Sequence, residues 1–413
     1  MSRLNLLNKK SKVLIATFSP WKNGKRLPTN GMVEPFVDFF SKKFGKLDLI
    51  DQPHPGSDIV LPIIEEYKNG KSINTFKNSI LIKCFVPLLK FTNVHKTQIS
   101  FKLRDFVSVL DFVFRNNTKY DLFIGFESVN ALAGIILKKF GRINKVVYYV
   151  SDFSPNRYSI KWFNSLYLLL DKVATTYADA TWNVSNAMPE ARKKMGYNVT
   201  KMSPQILAPN AFFKNQIKHL PFSKVLPFSI VYAGSMGLEN GPDLAIKSVA
   251  KLIKKYPKVI LTLIGGGSKK EQDKLNNLIN KLGIKRNVNY IGFVQTNDEM
   301  YQIIRKHMIS IAPYKAIPNS VRWYADAVKI RTSLACGLPV ITTQVPPNGK
   351  LVSEAKVGII TRDNVNDLVD AMITLFSNKK LYLQMRHNAI ASAKENTWEN
   401  SYTHALKEMG LIE

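Results

Sequence analysis

Short apolar runs of β-forming residues recur along this chain, each followed by a stretch with helical apolar spacing. That alternation leaves few folds open, because strands joined through helices pair in parallel and are covered on both faces. In the first half the strand candidates are "VLIATF" (Val13–Phe18), "LDLI" (Leu47–Ile50), "DLFIGF" (Asp121–Phe126), "KVVYYV" (Lys145–Val150) and "ATWNVS" (Ala180–Ser185). Helices are predicted over "NALAGIILKKF" and "KWFNSLYLLLDKVATTYA". The stretch "IKHLPFSKVLPFS" (Ile217–Ser229) has two prolines and no period, and reads as a linker. The alternation then restarts with "SIVYAG", "VILTLIG", "VNYIGF", "MISIAPY", "PVITT" and "VGII", helices between them. The expected division is a first domain over 1–215, a linker over 216–228, a second domain over 229–395 and a C-terminal helix over 396–413, expected to pack back on the first. The fold class is α/β, with two doubly wound halves in tandem.

Residues 59–100 are less regular. They are basic and rich in Phe, Ile and Leu, and one or two amphipathic helices packed on the core are expected there, with a membrane-facing insertion as the alternative. The full chain has 413 residues and a net charge of +29, from 59 basic and 30 acidic side chains. Nucleic acid, an anionic membrane surface or a phosphate-rich substrate would each match that charge, as would a lysine-rich composition serving solubility. Cys84 and Cys336 are the only cysteines and form no CxxC, so neither a zinc site nor a disulfide framework is expected. A reducing compartment, and hence a cytoplasmic protein, is the expectation. "VLIATF" is too short for a signal-peptide core, and "ILIKCFVPLLKF" is cut by Lys83 and Lys90.

The stretch "KIRTSLACGLPVITT" (Lys329–Thr343) carries the most chemistry. A helix predicted over Ala325–Ala335 ends at Gly337, and Pro339 prevents its continuation. Its start then faces out beyond the carboxyl end of "MISIAPY", where open α/β sheets bind ligands and helix N-termini attract anions. Lys329 could meet a diphosphate there, Asp326 could hold ribose hydroxyls, and Arg331 lies beside them. The competing reading is a solvated helix face with ordinary charges.

Two glycine loops follow strands in the same half. "YAGSMGLENGPD" (Tyr232–Asp243) holds Gly234, Gly237 and Gly241 before Pro242 at a first helical position, the composition of a phosphate-cradling loop or of a plain strand-to-helix connection. "LIGGGSKKEQ" (Leu263–Gln272) has the first two glycines of a dinucleotide fingerprint, Gly265 and Gly267, but Lys270 in the third position and no acidic residue in the expected place downstream. A nicotinamide oxidoreductase is therefore disfavoured. In the first half, "RLPTNGMVEP" (Arg26–Pro35), "GFES" (Gly125–Ser128) and "VSDFSPNRY" (Val150–Tyr158) follow strands and would open on one cleft, which makes Asn30, Gly31, Glu127, Asp152 and Arg157 candidates for substrate contact. Capping or loop hydrogen bonding is the bland alternative for each. His54 reads as structural, and no DxD or histidine triad is present.

In order, "VYAGSMGLENGPDLAI", "LTLIGGGSKKEQDKL", "VNYIGFVQTNDEMYQIIRKHMISIAPY", "DAVKIRTSLACGLPVITT" and "VGIIT" resemble the nucleotide-binding domain of retaining GT-B glycosyltransferases (glycosyltransferase family 4-like, group 1) over roughly Ser229–Leu375. The resemblance implies two Rossmann-like domains facing across a cleft. The first would hold the acceptor, and the second a nucleotide-diphosphate sugar. It implies transfer of a hexose to a glycan or lipid-linked acceptor with retention, needing no metal and no cofactor. Donor contacts would come from Gly234, Ser235, Met236, Gly237, Gly265, Gly266, Asp326, Lys329 and Arg331, with Lys329 and Asp152 catalytic. Acceptor contacts would come from Asn30, Gly31, Glu127 and Arg157. The arginine and lysine that many members carry in the first loop are Ser235 and Asn240 here, and the paired glutamates are missing near Tyr324 and Thr332. The resemblance also implies docking on anionic lipid through Lys71–Arg104 and Ile160–Lys172. An inactive sugar-nucleotide-binding scaffold remains an alternative. So does a basic nucleic-acid-binding protein, although no nucleic-acid motif is present.

Overall fold

The structure is a computed structural model that describes residues 6–27, 32–89 and 99–413. It divides into two units: Met1–Ala208 together with Tyr402–Glu413, and Pro209–Ser401. The first unit comprises strands β1 (Lys12–Ser19), β2 (Trp21–Lys22) and β3 (Lys25–Arg26), helix α1 (Val33–Lys43), strands β4 (Lys46–Pro53), β5 (Ile63–Lys68) and β6 (Lys71–Phe76), and helices α2 (Ile80–Leu89) and α3 (Ile99–Asn116). It continues through β7 (Tyr120–Phe126), α4 (Ser128–Lys139), β8 (Ile143–Val150), α5 (Lys161–Tyr177), β9 (Ala180–Asn183), α6 (Ala187–Lys194) and β10 (Gln205–Leu207).

These strands form a sheet in the order β10-β9-β8-β7-β1-β4-β5-β6. Every pairing from β10 to β4 is parallel, and β4-β5-β6 is antiparallel. Val13, Leu14, Ile15 and Ala16 of β1 are fully buried, as a strand covered on both faces demands. The chain order reverses at β1 and β7, so a crevice is expected beyond their carboxyl ends.

The second unit comprises β11 (Ser229–Ala233), α7 (Pro242–Leu252), β12 (Ile260–Ile264), α8 (Lys269–Lys281), β13 (Val288–Gly292), α9 (Asn297–Ile304), β14 (Ile309–Ala312), α10 (Val328–Ala335), β15 (Val340–Thr343), α11 (Gly349–Glu354), β16 (Gly358–Thr361), α12 (Val365–Ser377) and α13 (Lys379–Glu395). Helix α14 (Trp398–Glu408) runs past the end of this unit, and its residues from Tyr402 belong to the first. The sheet order is β13-β12-β11-β14-β15-β16, all parallel, with the reversal between β11 and β14. Residues 216–228 pack on this unit: Val225 lies in its core, and Leu226 donates its N–H to the Lys306 carbonyl at 2.8 Å.

Two expectations need correction. The helices expected over 59–100 give way in their first part to the β5–β6 hairpin. Its turn is Asn69–Gly70, with φ of 50° and 79°, the left-handed pair that a two-residue hairpin connection favours. Among the described residues of that range, α2 and the first residues of α3 are the helical ones. The helix expected from Ala325 begins at Val328. Ala327 is extended, its N–H donating to Asn348 Oδ1 and its carbonyl accepting from Asn348 Nδ2, each at 3.1 Å, which holds the chain straight until Val328. Gly337 ends the helix with φ 73°, its N–H on the Leu334 carbonyl at 2.9 Å.

Candidate functional site

The reversal point of the second unit is occupied by one ammonium group. Lys329, in the first turn of α10, lies partly buried with Nζ 4.3 Å from the ring centres of both Tyr232 and Tyr314. Tyr232 belongs to β11, and Tyr314 follows β14 by two residues. Nζ also donates to Tyr232 Oη at 3.2 Å. Among the described residues no carboxylate stands within ion-pair distance of it. The nearby ones are engaged: Glu239 accepts from Arg322 Nε at 3.0 Å and from Ser320 Oγ at 2.7 Å, and Asp243 pairs with Lys315 at 2.8 Å. Burial pushes the Lys329 ammonium well below the ordinary lysine range; the Arg322 charge adds to this and Glu239 opposes it. A cation held on two rings, with no carboxylate paired to it among the described residues, is suited to receive an anion. The Val328 and Lys329 amides open α10 with no intrahelical acceptor, whereas the Ile330 N–H donates to the Ala327 carbonyl at 3.0 Å.

The glycine loops build the seat. A Cβ on Gly234 would stand 2.9 Å from Lys329 Cε, so a glycine there lets the lysine stem cross the loop. Gly265, at φ 135°, approaches so closely that its Cβ would fall 1.9 Å from the Gly234 carbonyl oxygen. The loop amides are largely engaged within the protein. Gly234 donates to the Ile264 carbonyl at 2.8 Å, Met236 to the Gly266 carbonyl at 3.0 Å, and Gly237 to Ser235 Oγ at 3.3 Å. The sequence reading had those amides cradling a phosphate. Here they tie the loops after β11 and β12 together.

Asp326 and Arg331 are likewise turned to structure. Arg331 Nε and Nη2 grip the Asp326 carboxylate at 2.6 and 2.9 Å, and Nη1 donates to Asn396 Oδ1 at 2.8 Å. Both side chains are buried, and this mutual neutralisation leaves neither charge for a ligand. Tyr232, Tyr314 and Arg322 were not singled out from the sequence. Aromatic residues at strand ends read as core, and their partnership with Lys329 spans up to 97 residues of chain.

In the first unit, Glu127, Asp152 and Arg157 converge at the carboxyl ends of β7 and β8. Arg157 Nη1 lies 3.5 Å from Asp152 Oδ2, and Ser151 Oγ donates to Glu127 Oε1 at 2.9 Å. Burial pushes the Glu127 carboxyl above its usual range, against the pull of Arg157 and Lys102. Glu127 has φ 70° and ψ 159°, a backbone region that is almost exclusively glycine's and costs about 1–3 kcal/mol. Its N–H is anchored on the Tyr149 carbonyl at 2.9 Å. These side chains stand at one end of a cavity of about 490 Å³ whose wall is formed by α3, α4 and α5. His54 also lines it, with Nδ1 2.9 Å from the Pro55 carbonyl oxygen. Asn30 and Gly31 lie outside the described residues. Among the described residues no group of three histidine, cysteine or acidic side chains could hold a metal ion, and no helix is long and apolar enough to cross a membrane.

Two doubly wound units in tandem give the chain a fold similar to that of GT-B glycosyltransferases. HepE from Anabaena, in a structure in complex with UDP, superposes with a TM-score of 0.67 over 96% of this chain and 100% of that one, at 16% identity. OtsA in its apo structure gives 0.68 over 98% and 100%, at 12% identity. An uncharacterized glycosyltransferase of Haemophilus influenzae is 28% identical over 159 residues, which are 38% of this chain and 42% of that protein. The chain thus spans less than half the length of that curated relative. Residues 216–392 match the family described as Glycosyl transferases group 1.

Proposed function

We propose that the protein transfers a hexose from a nucleotide-diphosphate sugar to a glycan or lipid-linked acceptor, with retention of configuration. The observation that carries the reading is Lys329, a cation without a counter-ion at the β11/β14 reversal point of a group 1 domain. The donor diphosphate lies against Nζ, with the Val328 and Lys329 amides at the start of α10 beside it. As the glycosidic bond to the diphosphate breaks, negative charge grows on the departing oxygen, and a pre-placed ammonium stabilises it without reorganisation. The departing phosphate accepts the acceptor hydroxyl's proton, so no protein nucleophile is needed. A protein cation already at the diphosphate makes the reaction independent of a resident metal in this reading. Asp152, steadied by Arg157, orients the acceptor hydroxyl.

That HepE has been crystallised with UDP supports a nucleotide donor here too. The test is a thermal-shift panel of UDP-, GDP-, ADP- and dTDP-sugars. One of them raises the melting temperature of the wild type and leaves Lys329→Ala unmoved. A shift of equal size in both proteins, or no shift with any donor at millimolar concentration, contradicts the reading.

A further inference from the structure

We infer that the cavity of the first unit binds the apolar chain of an amphipathic acceptor, with the polar group of that acceptor held among Glu127, Asp152 and Arg157. The inference rests on the transferase reading for its use of the word acceptor, and on the cavity alone for its chemistry. Along α4, Val129, Leu132 and Ile136 fall at i, i+3 and i+7 on the face that lines the cavity, a run of about 10 Å along the helix axis. Phe163, Leu166 and Leu170 of α5 line it as well. Glu127 immediately precedes α4 and Ile136 lies about 13 Å further along its axis; Asp152 and Arg157 follow β8, while Arg104 and Asp105, which also line the cavity, are paired with each other at 2.6 Å.

That polarity gradient decides the ligand class. A sugar alone satisfies the charged end and leaves some 10 Å of aliphatic wall without a partner. A hydrocarbon alone satisfies the wall and strips water from Glu127, Asp152 and Arg157, a cost of several kcal/mol per uncompensated ion. A hydroxyl-bearing headgroup on an alkyl or prenyl chain satisfies both. About 490 Å³ is within the range of small-molecule sites. Leu103 and Leu166 line the cavity and are also 42% and 38% exposed, which gives a chain leaving a lipid phase apolar surface to meet on its way in. Lys102, which also lines the cavity, is a cation suited to a headgroup phosphate.

The experiment is isothermal titration of the full chain with n-alkyl β-D-glucosides from hexyl to decyl, each below its micelle concentration, with methyl β-D-glucoside as the chainless control. Each added methylene is expected to tighten binding about fourfold, until the cavity is filled and the gain stops. Methyl glucoside gives no heat. Leu132→Trp narrows the cavity along the α4 wall and weakens binding of the longer chains; should it not fold, Ile136→Phe on the same wall shortens the chain length at which the gain stops. Absence of binding at every chain length overturns the inference. So does a gain that never levels off, which marks surface adsorption, or affinity unchanged in a folded Leu132→Trp. Nucleotide-sugar shifts measured on the same variants separate the two readings. Their survival without glucoside binding removes only the cavity assignment, and the reverse removes only the donor site.

Discussion

At the scale of single residues the account turns on one lysine's proton. Enclosure makes the Lys329 ammonium easier to deprotonate in the free protein, and a bound diphosphate would make it harder again. Binding should therefore take up a proton in the pH window between that lowered value and lysine's ordinary value of about 10.4. Titration in two buffers of different ionisation heat measures the uptake. It is expected to vanish in Lys329→Met, and an identical uptake in the variant would show that another group titrates. Lys329 itself was legible in the sequence, because a strand, a helix and "GLPVITT" fix where the start of α10 must lie. What the lysine touches was not legible. Tyr232 and Tyr314 meet it through sheet pairing, and the buried Asp326–Arg331 pair depends on a loop conformation that Asn348 imposes from 21 residues away.

At the scale of elements, the strands were readable because central parallel strands are continuous apolar runs; β11, β12 and β14 stand where their runs stand. The β5–β6 hairpin was missed although Asn69–Gly70 is its signal, because it lies at the sheet edge with β6 mostly exposed, so no clean alternation marks it. Of the cavity, Glu127, Asp152 and Arg157 were legible because they follow strands, but its apolar wall was not, since it comes from helices whose mutual packing no local pattern encodes. The loop pair after β11 and β12 carries the sharpest prediction at this scale. Gly265→Ala places a methyl 1.9 Å from the Gly234 carbonyl oxygen at a φ of 135°. A loss of about 2 kcal/mol in unfolding free energy is expected, with the nucleotide-sugar shift lost in whatever protein remains folded. A variant as stable as the wild type would show that the loops separate without cost.

At the scale of the whole molecule, charge and exposed apolar surface act together. The chain carries +29, and on α5 Trp162 and Leu169 are 57% and 56% exposed, with Lys161 and Lys172 on the same helix. A basic face with apolar side chains suits an anionic bilayer. Cosedimentation with phosphatidylserine-containing vesicles is expected at low salt and should fall as salt rises, with Trp162→Ala and Leu169→Ala weakening it. Equal binding to neutral vesicles would contradict the electrostatic part. The donor site bears on the central claim more directly than any vesicle experiment. A crystal structure with a nucleotide sugar bound is the decisive measurement. The account predicts diphosphate oxygens within hydrogen-bond distance of Lys329 Nζ, with both tyrosine rings still beneath it. A donor bound away from that ammonium, or a Lys329 that stays covered while donor is present, would contradict it.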